Sequence, residues 1–468
     1  MRSSCGDWKF GGAEAPPVVR LSSSNMNMKL WSFSAFASGC VISLIVSMTH
    51  AKTGETAPAS PVLIRTGRLL DVRSGAYKAD QGVMIEGGYI KEVDAFTTIR
   101  KKRLKALKIV DLSRATLLPG LIDCHSHLFS AMDGKDDTTA QMTEAERMKV
   151  GVKQAREYLD SGVTTVRDLG FGGGLDTLLR DRIRAGLILG PEIFAASRRL
   201  TPPGEGGMTD ASRTEVIRNI AEVSGGRENA LRITREVMQT GADVIKVVVN
   251  VGPRLLLVEE LSAIVEEAHR AGLKVAAHAT SAAAIKIAVD AGVDSVEHGN
   301  EVSAEMLGEM VKRGIFLTPN SFTEQSLRHI FAAELRRHPA DQPGFETFIK
   351  DNQQQSLRRM QLAMQAKVKI VAGSDMVFIY PGKTRGQASI VNLEALRSQE
   401  LPAVDVIRAA TVNAAELLGL SAKVGVIEAG KLADIIAVDG DPLTDMAVLE
   451  RVKFVMKKGH IVKNEISK

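Results

Sequence analysis

Two histidines, a strand lysine and a turn aspartate recur at equivalent places in the middle of this chain, and together with two further histidines they could hold metal ions. The run TLLPGLIDCHSHLF carries His125 and His127 two residues apart. Side chains at i and i+2 of a β-strand project from the same side, so both imidazoles would face one point. Later runs add Lys246 in DVIKVVVN, His278 in KVAAHAT, His298 in SVEHGN and Asp375 in IVAGSDM. Four histidines, one lysine and one aspartate at the C-terminal ends of apolar runs indicate a metal site, and such a site indicates hydrolysis. His269, His329, His338 and His460 fall in helical or loop sequence and receive no role.

Taken singly, each residue has a plainer reading. A lone buried histidine is usually a satisfied core residue, and an aspartate in a G-S-D turn is usually just a turn residue. The joint pattern outweighs these separate readings. Lys246 lies between Ile245 and Val247, where an unpaired ammonium would be costly to bury. It could form a structural ion pair or a Schiff base. A neutral amine that has added carbon dioxide fits the histidines better, because the resulting carbamate can bridge two cations. Imidazole and carboxylate donors suit Zn²⁺, and Mn²⁺, Fe²⁺ and Co²⁺ share those donors. Two such ions sharing a hydroxide would supply a nucleophile at neutral pH and polarise a carbonyl.

The elements that must position these groups alternate in type. After the first run come TTVRDLG, EIFAASRRLT (192–201), DVIKVVVN, KVAAHAT, SVEHGN, IFLTPNS and IVAGSDM (370–376). Helical patterns such as EELSAIVEEAHRAG and EMLGEMVKRG separate them, each closing on the glycine expected at a helix C-terminus. Eight strands alternating with helices predict an α/β chain with a (β/α)₈ barrel over residues 118–420, whose functional groups gather at the strands' C-terminal ends. An open doubly wound sheet gives no reason to aim ligands from five different strands at one centre. Residues 61–117 and 421–465 instead read as strands and turns, with Gly87–Gly88 a hairpin tip, so one small β domain is expected from both ends of the chain.

The chain has 468 residues, 44% hydrophobic and 25% charged, with a formal net charge of +5. That balance is ordinary for a globular protein, and without a basic tract interleaved with aromatics nucleic acid is not expected as a partner. Residues 1–51 read as an N-terminal extension ending in a signal peptide: MKLWSFSAFASGCVISLIVSMTHA has a basic start, an apolar stretch, and Thr49 and Ala51 as small residues before a cleavage point. An uncleaved membrane anchor is the alternative. Cleavage after Ala51 would remove Cys5 and Cys40 and leave Cys124 without a disulfide partner. The expected location is periplasmic or secreted, with no stable membrane association once the leader is gone.

HSH after LLPGLID, the strand lysine, AAHAT, SVEHG, AGSD and ATVNAAELLGL with VGVIEAGKLADIIAVDGDPL resemble the metal-dependent amidohydrolase superfamily over roughly residues 60–465. Within it, the chain looks most like imidazolonepropionase-related hydrolases and Xaa-Pro or Xaa-Arg/Lys dipeptidases. The resemblance implies a distorted TIM barrel with a composite β-sandwich. It also implies that His125 and His127 hold a first metal, that carboxylated Lys246 bridges to a second, and that His278 and His298 hold the second. Asp375 would then bind the first metal and act as general base, passing its proton to the leaving amine. The chain departs from that branch in PPGEGGMTD, where Met208 stands in place of a histidine, and in the short loop NVGPRLLLVEE.

These readings converge on a binuclear hydrolase that cleaves the amide bond of a small molecule, a dipeptide or an N-acyl amino acid. A one-metal cyclic-amide hydrolase or deaminase is the second reading, and a non-catalytic binding protein the third. Asn320 and Arg385 are the residues expected to contact polar groups of the substrate. Nothing in the sequence opposes a homo-oligomer.

Overall fold

The computed structural model describes residues 61–102, 107–134, 136–203, 220–251 and 254–466. The signal-peptide expectation and the Met208 loop lie outside the described residues.

The two ends of the chain do share one sheet. Its seven strands run in the order His460–Asn464, Phe454–Lys457, Ile435–Val438, Lys108–Pro119, Val62–Asp71, Ala76–Glu86, Tyr89–Ala95. The seam is the antiparallel pairing of Ile435 with Pro119 through to Val438 with Thr116. Ile64, Val83, Ile85, Leu117, Ile435 and Phe454 form a core on this sheet. Gly87 and Gly88 make the expected hairpin turn, both with positive φ (58° and 80°). Two successive positive φ angles define the turn whose twist matches paired strands.

The middle of the chain forms a TIM-barrel-type α/β arrangement of parallel strands. Leu121–Ser126, Val163–Asp168 and Glu192–Ala195 pair in that order. Arg199–Thr201, Val244–Val248, Lys274–Ala279, Ser295–His298 and Phe316–Thr318 continue in a second sheet, edged by Ile220–Glu222. The expected third strand, 192–201, is thus two pieces that belong to different sheets. Ser197 at φ 61° bends the chain between them, and Asp243 N–H reaches across to the Ala195 carbonyl at 2.8 Å.

The expected eighth strand, 370–376, is corrected by the structure. It is no regular strand; Ile370 makes a single bridge to Leu317. Beyond it the backbone is shared between neighbours: Val371 N–H bonds the Leu317 carbonyl (3.0 Å), while Ala372 and Asp375 bond Cys124 and His125 (2.9 and 2.7 Å). The segment therefore lies between the last and first strands of the series, held by alternating bonds rather than by a ladder.

Helices cover the outside of these strands. Val258–Arg270 and Ala304–Arg313 end as expected on Gly272 and Gly314, both at positive φ. Their apolar residues, such as Leu261, Ile264 and Leu307, join the strands' outward side chains, such as Val247, Val296 and Leu317, in one large core. With the outward faces committed to that core, the alternate residues, His125 and Lys246 among them, are left facing inward.

Candidate metal centre

The first strand, LIDCHS, is wholly buried, and its polar residues are stapled in place. Asp123 accepts the N–H groups of His125 and Ser374 (3.0 Å each) and the Ser374 hydroxyl (2.6 Å). Burial pushes this carboxyl up to about 6 despite those hydrogen bonds. The staple fixes the strand carrying the histidines against the turn carrying Asp375.

All six metal-ligand candidates come together. His127 Nε2 lies 3.0 Å from Asp375 Oδ1, and His125 Nε2 lies 3.4 Å from the same oxygen. Lys246 Nζ is 3.4 Å from His125 Nε2. The His298 ring stands 4.4 Å from that of His278 and 5.5 Å from that of His125, centre to centre. One donor atom each of His125, His298 and Asp375 lies within 4.8 Å of the others.

The outer nitrogens explain why the inner ones are available. His125 Nδ1 faces Glu297 Oε2 at 2.8 Å, and His127 Nδ1 faces the Gly170 carbonyl at 3.3 Å. Both partners are pure acceptors, so each Nδ1 carries the proton and each neutral ring turns a bare Nε2 lone pair inward. Burial, followed by neighbouring positive charge, holds His125 and His278 well below the ordinary histidine range, and burial brings His298 to about 4 against the opposing Asp375 charge. Burial alone would raise Asp375, but the surrounding imidazoles outweigh it and keep its carboxyl ionised, well below its usual value. Neutral imidazoles, an ionised carboxylate and a lysine at one point are donors that fit divalent cations.

Backbone geometry completes the aim. His298 (φ 69°), Asn320 (φ 46°) and Asp375 (φ 49°) all occupy the left-handed region. Such conformations are costly for residues other than glycine and persist where surroundings impose them. Here the kink at the strand end lets Glu297 and His298, consecutive residues, both reach the cluster.

The two expected substrate contacts are placed differently. Asn320 accepts the His298 N–H through Oδ1 and donates to the Gly373 carbonyl through Nδ2, both at 3.0 Å, so it ties two ligand-bearing turns together. The Arg385 guanidinium donates to the carbonyls of Ser130, Met376 and Val377. It clamps these loops together.

Sequence reasoning missed the support behind the histidines. Glu297 is fully buried between His125 and Arg167, whose Nη2 donates to its Oε1 at 2.8 Å; Arg167 Nη1 also donates to Ser295 Oγ at 3.0 Å. The available signal was two opposite charges, Arg167 in TTVRDLG and Glu297 in SVEHGN, each inside a wholly or largely buried strand. The shortened loop after the lysine strand closes as a small hairpin, Asn250–Val251 with Arg254–Leu255. Of the four histidines given no role, His269 pairs with Asp294 and His329 stacks on Tyr380.

The chain is similar to several known proteins. The Amidohydrolase family profile matches residues 116–462. The ochratoxinase of Aspergillus niger is 27% identical over 450 residues, covering 88% of this chain and 88% of that one. The imidazolonepropionase of Shouchella clausii (strain KSM-K16) is 24% identical over 430 residues, covering 81% and 85%. A solved Xaa-Pro dipeptidase with methionine bound in its active site superposes with a TM-score of 0.73 at 28% identity, over 86% of this chain and 100% of that one. Because the profile spans most of the chain, the protein belongs to the Amidohydrolase family and is a hydrolase acting on carbon–nitrogen bonds.

Proposed function

We propose that the cluster holds two divalent cations, with Zn²⁺ the ion its donors suit, and hydrolyses the amide bond of a dipeptide or N-acyl amino acid. His125, His127 and Asp375 would hold one ion and His278 and His298 the other, with Lys246, carboxylated on Nζ, between them. Bound there, the ions supply an activated water and polarise the scissile carbonyl. Asp375, its side chain 25% exposed, takes up a proton on a carboxylate oxygen and returns it to the departing amine. Lys246 is buried, and desolvation first of all pulls its amine down to about 8. A neutral amine is the form that adds carbon dioxide.

The observation that carries this reading is the gathering of six donor side chains in one cluster, with the Nδ1 atoms of His125 and His127 already occupied by acceptors. The test is amine release from a library of dipeptides and N-acyl amino acids by the metal-loaded chain. Release that chelator abolishes and Zn²⁺ restores is expected. No release from any amide, in folded protein carrying metal, would overturn the reading.

The same proposal extends to the rest of the chain. Residues 118–420 form a distorted (β/α)₈ barrel; 61–117 and 421–465 form a β-sandwich; 1–51 are an extension and a cleaved signal peptide that sends the enzyme to the periplasm or outside the cell. Among the described residues no helix is long and apolar enough to cross a membrane. The partner is a small molecule rather than a nucleic acid.

A further inference from the structure

We propose that Arg359 is a positioning residue of the metal centre: its guanidinium imposes the backbone conformation that aims His298 at the second ion. The inference rests on the reading of His298 as a metal ligand and adds to it a residue far away in the chain.

His298 needs a brace. It sits in the left-handed region at φ 69°, a conformation costly for any residue but glycine and kept only where surroundings impose it. The pairing of its strand with the next one ends a residue earlier, at Glu297 opposite Thr318. Beyond that pair the ladder stops, and side chains take over. Asn320 Oδ1 receives the His298 N–H at 3.0 Å, and Arg359 Nη1 donates to the His298 carbonyl at 2.9 Å.

The other arm of the guanidinium ties the neighbouring turn to this one. Arg359 Nη2 donates to Ser321 Oγ at 3.0 Å, and Ser321 follows Asn320, itself at φ 46°. His298, Asn320, Ser321 and Arg359 thus close a ring of bonds across the turns that follow Ser295–His298 and Phe316–Thr318. Ser321 is anchored in turn: its hydroxyl donates to Gln399 Oε1 at 2.9 Å, and its carbonyl accepts Asn392 Nδ2 at 2.8 Å. A planar guanidinium holds two acceptors at a fixed spacing, which a single ammonium does not.

The setting of Arg359 shows that it is not there for stability alone. It lies on the helix Gln342–Ala366, in the buried stripe that also carries Ser356, Met360 and Ala363. Its side chain is buried, its partners are a carbonyl and a hydroxyl, and its Nε has no partner among the described residues. Burial brings it down to about 10, so it stays charged at neutral pH. A buried cation with only neutral partners costs stability, and an apolar side chain of similar size would fill the same space. Arg167, by contrast, has Glu297. What Arg359 supplies beyond an apolar residue is two donated bonds, and both end on the turns that set His298.

The test uses the full chain and the variants Arg359→Met and Arg359→Lys. Zn²⁺ affinity is read by chelator competition, site geometry by the visible spectrum of the Co²⁺-loaded protein, and stability by urea unfolding of the metal-free protein. In Arg359→Met the second ion should bind about 10–100-fold more weakly, with an altered Co²⁺ spectrum. The metal-free unfolding midpoint should change little, because the two lost bonds are offset by no longer burying an unpaired cation. Arg359→Lys, with one point donor in place of a fork, should fall between the two. Wild-type affinity for both ions in Arg359→Met, with an unchanged spectrum, would overturn the inference. So would a lowered unfolding midpoint with both ions weakened in proportion, because Arg359 would then serve the fold and not His298. If Arg359→Met does not fold, Arg359→Lys decides: undiminished affinity for the second ion overturns the inference, and a weakened second ion alone supports it. Wild type that binds no metal overturns the reading of His298 as a ligand, and this inference falls with it.

Discussion

Replacing Glu297 by Gln should separate the support of the metal site from the site itself. Glu297 meets His125 Nδ1 at 2.8 Å and Arg167 Nη2 at 2.8 Å, with its side chain fully buried. Glutamine keeps the shape but has one acceptor oxygen where two are used. His125 therefore loses the partner that fixes its proton on Nδ1, and the inward Nε2 is no longer held bare. Losing such a partner typically weakens metal affinity by about 10–100-fold, or roughly 1.4–2.7 kcal/mol. Arg167 meanwhile becomes a buried cation without its counter-charge. Breaking a buried pair costs about 3–5 kcal/mol, and the low end applies because Arg167 keeps the Ser295 hydroxyl and the Cys124 carbonyl. The assay is metal affinity by chelator competition, together with urea unfolding of the metal-free protein. A variant that binds metal as tightly as wild type would refute the assignment of Glu297 as the group that orients His125. An unchanged unfolding midpoint would refute the buried-pair energetics.

Other consequences are as definite. Lys246→Ala should lose metal and turnover together, whereas Asp375→Asn should keep most of the metal yet lose turnover; full activity in Asp375→Asn would remove its role as base. At Glu192, burial works upward but is outweighed by the Arg184 hydrogen bond and the Lys458, Arg184 and Lys457 charges, so its carboxyl sits below its ordinary value of 4.5. Its contribution is therefore present above about pH 4.5 and lost as pH falls toward the lower folded value. Glu192→Gln should flatten the acid limb of urea midpoints measured from pH 7 to 3 by about 1 kcal/mol or less. Cys124 is fully buried and its thiol is pushed up to about 12 by desolvation. A chain starting at residue 52 should show almost no thiol reactive toward Ellman's reagent when native and one when denatured.

What the sequence made legible was residue type and periodicity. The two-residue spacing of His125 and His127 aims both rings inward because a strand imposes it, and Lys246 stands out because nothing else in its strand is charged. Legibility failed where the backbone leaves regular geometry. In a regular strand Glu297 and His298 would face opposite sides, and only the positive φ of His298 brings both to the centre. The same effect dissolves the expected last strand around Gly373 and Asp375 and splits the third at Ser197. The structural bonds of Asn320 and Arg385 were hidden for another reason. Polar residues near a site look available for ligands until their backbone partners are known, and here those partners are carbonyls and an amide brought close only by folding.

The most direct test of the central claim is metal per chain in the folded protein, purified without chelator and measured by elemental analysis. The account predicts two equivalents, falling to none in Lys246→Ala. One equivalent in wild type, unchanged when Lys246 is replaced, would contradict a lysine-bridged pair, and none at all would contradict the metal centre.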